Sequence, residues 1–263
     1  MTDILVAKNV SKTFFDTEAK DDVVALSGIS LAVGAHEFVS VIGPSGCGKS
    51  TFLRIVAGLD KPTSGEIFVS GRKVTGPGAD RGMVFQEYAL LPWKTTEANI
   101  EFGLRLKKMP KEKRAAITKR FIDLVGLGGF ENKYPHQLSG GMRQRAAVAR
   151  VLANNPTVLL MDEPFAAVDA MTRQRLQEEL TVITALEHTT VLFITHAIEE
   201  AVFLSDRVVA LSGRPGRIVA DLRIDLPRPR AWEALVHDSR FARYRDELAQ
   251  CIHDNAGAQK VHA

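Results

Sequence analysis

Gly43-Pro44-Ser45-Gly46-Cys47-Gly48-Lys49-Ser50-Thr51 follows an apolar run, Phe38-Val39-Ser40-Val41-Ile42, and precedes a helix-like one, Phe52-Leu53-Arg54-Ile55-Val56-Ala57. Strand, glycine-rich turn and helix in that order are the context in which G-x-x-x-x-G-K-[ST] binds phosphate. The glycines let backbone N–H groups converge on phosphate oxygens where a side chain would obstruct them. The helix that follows turns its free N–H groups and positive dipole end to the same anion. Lys49 is expected to reach the β- and γ-phosphates and the Ser50 hydroxyl to ligate Mg²⁺. A glycine-rich turn that merely contains a lysine would not need this strand and this helix around it. The stretch predicts a nucleoside triphosphate site.

Working outward, a second stretch, Val158-Leu159-Leu160-Met161-Asp162-Glu163, is an apolar strand that ends in two carboxylates. Beside bound phosphates, Asp162 suits a Mg²⁺ ion. Glu163 points differently and suits the orientation or deprotonation of an attacking water. A strand-end Asp-Glu pair could also cap a following helix. Thr195-His196 ends the next apolar run, Val191-Leu192-Phe193-Ile194, although a lone histidine is more often structural. Gln86, after Gly82-Met83-Val84-Phe85, is expected at a strand end, where its amide caps the chain or faces metal and nucleotide. In Gln137-Leu138-Ser139-Gly140-Gly141-Met142-Arg143-Gln144-Arg145, Ser139 is a good N-cap, and Gly140 and Gly141 leave N–H groups bare at a helix start. That is a second anion site, which one chain does not need for one nucleotide and two facing chains do. Phe14 and Phe15 offer a ring to an adenine face or to the core in equal measure.

The rest of the pattern alternates. Strands are expected at Ile4 to Val10, Val23 to Val33, Glu66 to Val69 with Lys73-Val74, Thr157 to Met161, Val191 to Thr195 and Arg207 to Leu211. Helices are expected at Ala98 to Leu106, Lys111 to Val125, Ala170 to Ala185, Ile198 to Leu204 and Trp232 to Ile252. Alternating strands and helices with a phosphate loop at the first crossover imply an α/β fold with a mainly parallel sheet. The expected organisation is a phosphate-loop domain over residues 1-225, with a helical subdomain at about 88-156 inserted in the α/β core, and a C-terminal helical tail over 226-263 that frays from Asn255. A net charge of +3 with no dense basic block gives no argument for nucleic acid. Two cysteines, Cys47 and Cys251, suggest neither a disulfide framework nor a metal site. The N-terminus does not read as a signal peptide and no apolar run approaches bilayer length, so a cytoplasmic protein is expected.

The order phosphate loop, Gln86, Leu138-Ser139-Gly140-Gly141, Asp162-Glu163, Asp169, His196 resembles the ATP-binding subunit of ABC transporters over about residues 4 to 220. The resemblance implies a RecA-like phosphate-loop core, an antiparallel β subdomain and the inserted helical subdomain. It implies a head-to-tail homodimer that clamps two ATP molecules, with Mg²⁺, between residues 43–51 of one subunit and Ser139-Gly140-Gly141 of the other. Glu163 is then the catalytic base, His196 contacts the γ-phosphate, and Gln86 senses Mg²⁺ and water. Asp169 lies in the loop crossing the interface, and Phe14 matches the adenine-stacking aromatic, which is usually Tyr. Met142 stands where Gln is usual, Ala197 where Asp is common, and Ala166-Ala167 where Gly-Ala is usual. Each departure keeps the groups that touch phosphate, so hydrolysis is expected to survive.

Gly76 to Gly82, Leu90-Leu91-Pro92-Trp93, Ile198 to Phe203 and Arg214-Pro215-Gly216-Arg217 look like the nitrate/sulfonate/taurine importer group. The likeness implies peripheral attachment to the cytoplasmic face of the membrane, uptake of a small anionic solute, and an indirect partnership with a solute-binding protein. Leu90 to Trp93 reads as an apolar patch on which a permease helix could seat, or as a loop folded back on the core. Two rival classes differ in kind. An ABC-type ATPase on nucleic acid usually has paired cassettes or long coiled coils, and a phosphate-loop small-molecule kinase would not need Leu138 to Gly141.

Overall fold

The computed structural model describes residues 2–16 and 21–256. Its centre is a six-stranded sheet in which β3 (Phe38–Ile42), β6 (Arg81–Val84), β7 (Val158–Asp162), β8 (Thr190–Ile194), β9 (Arg207–Leu211) and β10 (Ile218–Arg223) lie in the order β10-β9-β3-β8-β7-β6. All but β10 run parallel. The middle strands read Phe-Val-Ser-Val-Ile and Thr-Val-Leu-Phe-Ile and are buried at every position, as strands covered on both faces must be. Asp162 on β7 and Val41 on β3 both pair with Ile194 on β8, so the carboxyl ends of the three central strands share one level. Ligands of open α/β sheets bind at that edge.

A second sheet is antiparallel, with β1 (Asp3–Asp16), β2 (Asp21–Gly34), β4 (Ser64–Val69) and β5 (Arg72–Lys73) in the order β2-β1-β4-β5. Helix α1 (Lys49–Ala57) belongs to the core shared by the two sheets, with Phe52, Leu53, Ile55 and Val56 buried. Each of these side chains contributes about 1.5–3 kcal/mol by leaving water. Between β6 and β7 the chain is helical: α2 (Thr96–Leu106), α3 (Lys111–Leu124) and α4 (Gly140–Leu152). On the other face of the parallel sheet a second core joins α4, α5 (Ala170–Leu186), α6 (Ile198–Leu204) and the C-terminal segment. The fold is thus the expected phosphate-loop α/β core with an antiparallel β subdomain and an inserted helical subdomain.

Three expectations need correction. Strand β10 was not foreseen: it is a half-exposed edge strand of mixed polarity, held to β9 by the ladder and by Arg207 Nε to Asp221 at 2.8 Å. The tail is two helices, α7 (Trp232–Leu235) and α8 (Ser239–Ala256), because Asp238 accepts the Arg240 N–H at 2.8 Å and caps a new helix. Phe241, Tyr244 and Leu248 of α8 are buried, at the spacing of one apolar helical stripe. Asn255 is the third correction, since it belongs to α8 and is not frayed, and residues 257–263 lie outside the described ones.

Candidate nucleotide site

The phosphate loop leaves β3 at Gly43 and enters α1 at Lys49. Gly48 lies in the left-handed region at φ +103°, and a Cβ there would come within 2.7 Å of Leu26 Cδ2 and 2.9 Å of the Ala25 carbonyl. Only glycine fits both the turn and the approach of β2. Cys47 is buried behind the loop, and Ser45 and Gly46 face solvent. The Lys49 ammonium donates to the Gly43 carbonyl at 2.8 Å and the Pro44 carbonyl at 3.0 Å, which holds the charge across the loop. An open cleft of about 280 Å³ is lined by Phe14, Val23, Ala25, Ser45, Gly46, Gly48, Lys49, Ser50, Thr51, Glu163 and Arg214.

At the sheet edge, the Ser50 hydroxyl donates to Asp162 Oδ1 at 2.9 Å. Burial pushes the Asp162 carboxyl above the usual carboxylate range, and the Ser50 hydrogen bond pulls it part of the way back. A half-buried carboxylate beside one hydroxyl is a pair of hard oxygen ligands, the kind that takes Mg²⁺ together with phosphate oxygens and water. Among the described residues no group of three His, Cys, Asp or Glu side chains could hold a metal alone. Glu163 departs from the strand at φ +43°, an uncommon conformation costing of order 1–3 kcal/mol for a residue with a side chain. Its N–H still pairs with the Ile194 carbonyl at 3.0 Å, and its Oε2 lies 3.0 Å from His196 Nδ1. The negative charge of Glu163 also acts on Asp162 and adds to the rise of its carboxyl.

Other expected residues lie apart. Gln86 sits on an exposed turn two residues beyond β6, where a strand-end position was expected. Tyr88 and Ala89, just after it, adopt φ of +62° and +50°, and Arg150 of α4 donates to their carbonyls at 3.2 and 2.7 Å. Ser139 Oγ caps α4 by accepting the Met142 N–H at 3.3 Å. Gly140 has open space around it, whereas a Cβ on Gly141 would come within 3.0 Å of Thr172 Cγ2 and 3.4 Å of Leu176 on α5. None of residues 139–141 lines the cleft of the phosphate loop. Asp169 is exposed and caps α5 through the Thr172 N–H at 3.0 Å, which holds its carboxyl below the usual range. Trp93 is 71% exposed on a loop pinned from within by Asn99, whose amide bonds Leu91 N–H and the carbonyls of Leu91, Lys94 and Thr95.

The sequence matches the family model for ABC transporter over residues 26–166. The chain belongs to the ABC transporter family. It is 55% identical over 232 residues to an uncharacterised ABC transporter ATP-binding protein of Methanocaldococcus jannaschii, covering 88% of this chain and 85% of that one. It is 48% identical over 239 residues to the nitrate import ATP-binding protein NrtD of Synechocystis sp., covering 89% and 90%. Against the bicarbonate transport ATP-binding protein CmpC of Synechococcus elongatus, identity is 44% over the whole chain but spans only 40% of that protein. A solved ATP-binding cassette, a dimer in a post-hydrolysis state with ADP and phosphate, superposes with a TM-score of 0.73 at 34% identity, covering 85% of this chain and all of that one.

This ABC cassette is an ATPase. Its cleft also includes residues that the sequence did not single out as site residues. Val23 and Ala25 of β2 form a wall beside Phe14, and Phe14 pairs with Val23 across the β1–β2 ladder. The Lys12 ammonium lies 4.8 Å from the centre of the Phe14 ring. Arg214 stands at the mouth of the cleft, its Nε donating to the Gly46 carbonyl at 3.3 Å. No local pattern marks these residues, because β1–β2 pairing and the loop after β9 bring them together. No described helix is long and apolar enough to cross a membrane.

Proposed function

We propose that this cassette energises membrane uptake of a small anionic solute through ATP-driven closure of a homodimer. One observation carries the reading. The helix start capped by Ser139 lies outside the cleft of residues 43–51, which supports a reading of them as two phosphate-binding half-sites that do not meet within one chain. A triphosphate that touches both has higher affinity for the closed pair, and that difference shifts the population towards closure.

In this reading residues 43–51 hold the phosphates and Phe14 stacks on adenine. Ser139, Gly140 and Gly141 meet the γ-phosphate of the nucleotide bound by the other subunit, and Asp169 faces the other subunit. Ser50 and Asp162 would hold Mg²⁺, with Gln86 as its sensor, and the ion would supply charge neutralisation at the β- and γ-phosphates. Glu163 accepts the proton of the attacking water. His196 holds the Glu163 carboxylate in place and reaches the γ-phosphate from its exposed loop. Loss of that phosphate removes what joins the half-sites, and the pair reopens.

The uptake assignment draws support from the likeness to a nitrate import protein and a bicarbonate transport protein and from the exposed Trp93 loop. A permease helix seating on Leu90-Leu91-Pro92-Trp93 would follow the helical subdomain, on the cytoplasmic face of the membrane, and a solute-binding protein would act on the permease. Glu163→Gln with ATP and Mg²⁺ tests the closure. The variant is expected to bind ATP and elute as a dimer in size-exclusion chromatography with light scattering. A strictly monomeric ATP-bound variant would overturn the reading.

A further inference from the structure

The loop carrying His196 is linked to the C-terminal segment by a run of polar contacts through α6 and α5. Thr195, 2% exposed, accepts the Ala197 N–H on its Oγ1 at 3.0 Å and thereby pins the backbone on both sides of His196. Its hydroxyl acts on the Glu200 carboxylate and favours the charged form. Glu200 lies in α6, 6% exposed, and its Oε1 accepts Gln177 Nε2–H at 2.6 Å. Gln177 lies in α5, 2% exposed, and its Oε1 accepts the Trp232 indole N–H at 3.0 Å. Trp232 stacks flat on Phe203 of α6 with centroids 4.3 Å apart, and its backbone N–H bonds Glu178 at 3.1 Å. Beside it, Arg230 donates to the carbonyls of Val202, Phe203 and Ser205, at the end of the same short helix.

A buried carboxylate is costly unless donors surround it, and burial pushes the Glu200 carboxyl above its usual range. Packing alone would be served as well by an apolar residue at this position. What the carboxylate adds is direction. It accepts from Gln177 of α5 and interacts with the Thr195 hydroxyl beside the His196 loop, so it bridges the two elements. Networks of this kind fix geometry more than they add stability.

We propose that Glu200 is a positioning residue for the His196 loop, and that Trp232, acting through Gln177, couples docking of the C-terminal segment to the rate of ATP hydrolysis. This rests on the assignment of Glu163 and His196 to the reacting end of the nucleotide. A small displacement of a reacting group can cost about a hundredfold in rate. The C-terminal segment therefore sets the turnover of the cassette without touching nucleotide.

The test is steady-state ATPase on the full chain, with separate measurement of ATP affinity and thermal midpoint. Glu200→Ala is expected to lower kcat about ten- to a hundredfold with the KM for ATP within about twofold, since the phosphate loop is untouched. Glu200→Gln keeps an acceptor oxygen for Gln177 Nε2–H and can turn its NH2 to the Thr195 hydroxyl oxygen, and should stay within about threefold of the original rate. Trp232→Phe keeps an aromatic ring against Phe203 while removing the N–H and part of the ring system, and should lower kcat by about three- to tenfold. If Glu200→Ala does not fold, Thr195→Val, which keeps the shape and deletes the hydroxyl, takes its place with the same expected loss. An unchanged kcat in folded Glu200→Ala or Thr195→Val, or a Glu200→Gln variant as slow as Glu200→Ala, would overturn the positioning role. An unchanged kcat in Trp232→Phe would overturn the link to the C-terminal segment. His196→Ala serves as the control: if it hydrolyses at the original rate, the site assignment itself fails, whereas a slow His196→Ala beside a normal Glu200→Ala retires the relay alone.

Discussion

Glu163 Oε2 and His196 Nδ1 lie 3.0 Å apart, joining the loop after β7 to the loop after β8 at the carboxyl edge of the sheet. The contact exists because Glu163 takes a left-handed backbone while its N–H still pairs with Ile194. An Asp-Glu pair serving only as a helix cap would have no use for that conformation. Glu163→Gln keeps shape and hydrogen bonding, so ATP affinity should be retained while phosphate release in a single turnover falls by at least about a hundredfold. Release at the original rate would remove Glu163 from the chemistry.

Asp162 carries a carboxyl whose pKa is raised by burial, so the folded protein binds that proton more tightly than the unfolded chain does. The sign follows: the contribution of this group to stability is present at low pH and is lost as pH rises through the raised value. At neutral pH the nucleotide-free protein holds the charge at a cost. Asp162→Asn should therefore raise the melting temperature of the nucleotide-free protein and abolish the Mg²⁺-dependent part of ATP binding. Calorimetry with and without Mg²⁺ reads both, and a lower melting temperature would contradict the electrostatic account.

Gly140 and Gly141 are adjacent but do different work. A methyl group on Gly140 meets nothing within 4 Å, whereas one on Gly141 presses on Thr172 and Leu176. Gly140→Ala should leave the denaturation midpoint unchanged, and Gly141→Ala should cost about 1–3 kcal/mol through overpacking. Urea denaturation distinguishes them. Equal loss at both positions would show that the helix start is not packed as described.

Trp93 projects from a loop that Asn99 fixes with four hydrogen bonds. Such preorganisation around an exposed aromatic suits a docking knob better than a loop folded on the core. Trp93→Glu should leave ATP affinity and fold intact and should abolish co-sedimentation with membranes that contain the permease. Asn99→Ala should weaken the same association and cost about 1–3 kcal/mol of stability, because its half-buried backbone partners lose their bonds. Undiminished co-sedimentation of Trp93→Glu would place the docking surface elsewhere.

Much of this was legible in the sequence where local pattern and tertiary role agree. Strands β3 and β9 have the expected bounds because their apolar runs are short and closed by turn residues, and α6 has them because Ser205-Asp206 ends it. The phosphate loop was legible for the same reason: strand, glycines, lysine and helix are contiguous. What escaped depends on partners distant in the chain. β10 is a strand only because β9 offers an edge, and Asp238 divides the tail because its carboxylate finds the Arg240 N–H and not solvent. No local pattern marks Gln177 and Glu200, and only the placement of α5, α6 and Trp232 buries them together. Arg214 reaches the cleft through a loop that follows β9, more than 150 residues from the lysine it accompanies.

The central claim is that ATP joins the phosphate loop of one subunit to the Ser139 helix start of another. Two forms of the protein, both Cys251→Ser and Glu163→Gln, one with Ser45→Cys and the other with Ser139→Cys, can be mixed and oxidised with and without ATP and Mg²⁺. Both serines are exposed, and Cys47 is buried away from the oxidant. The account predicts a disulfide-linked dimer of the two forms that accumulates only with ATP. No cross-link under any nucleotide condition, with ATP binding intact, would contradict it.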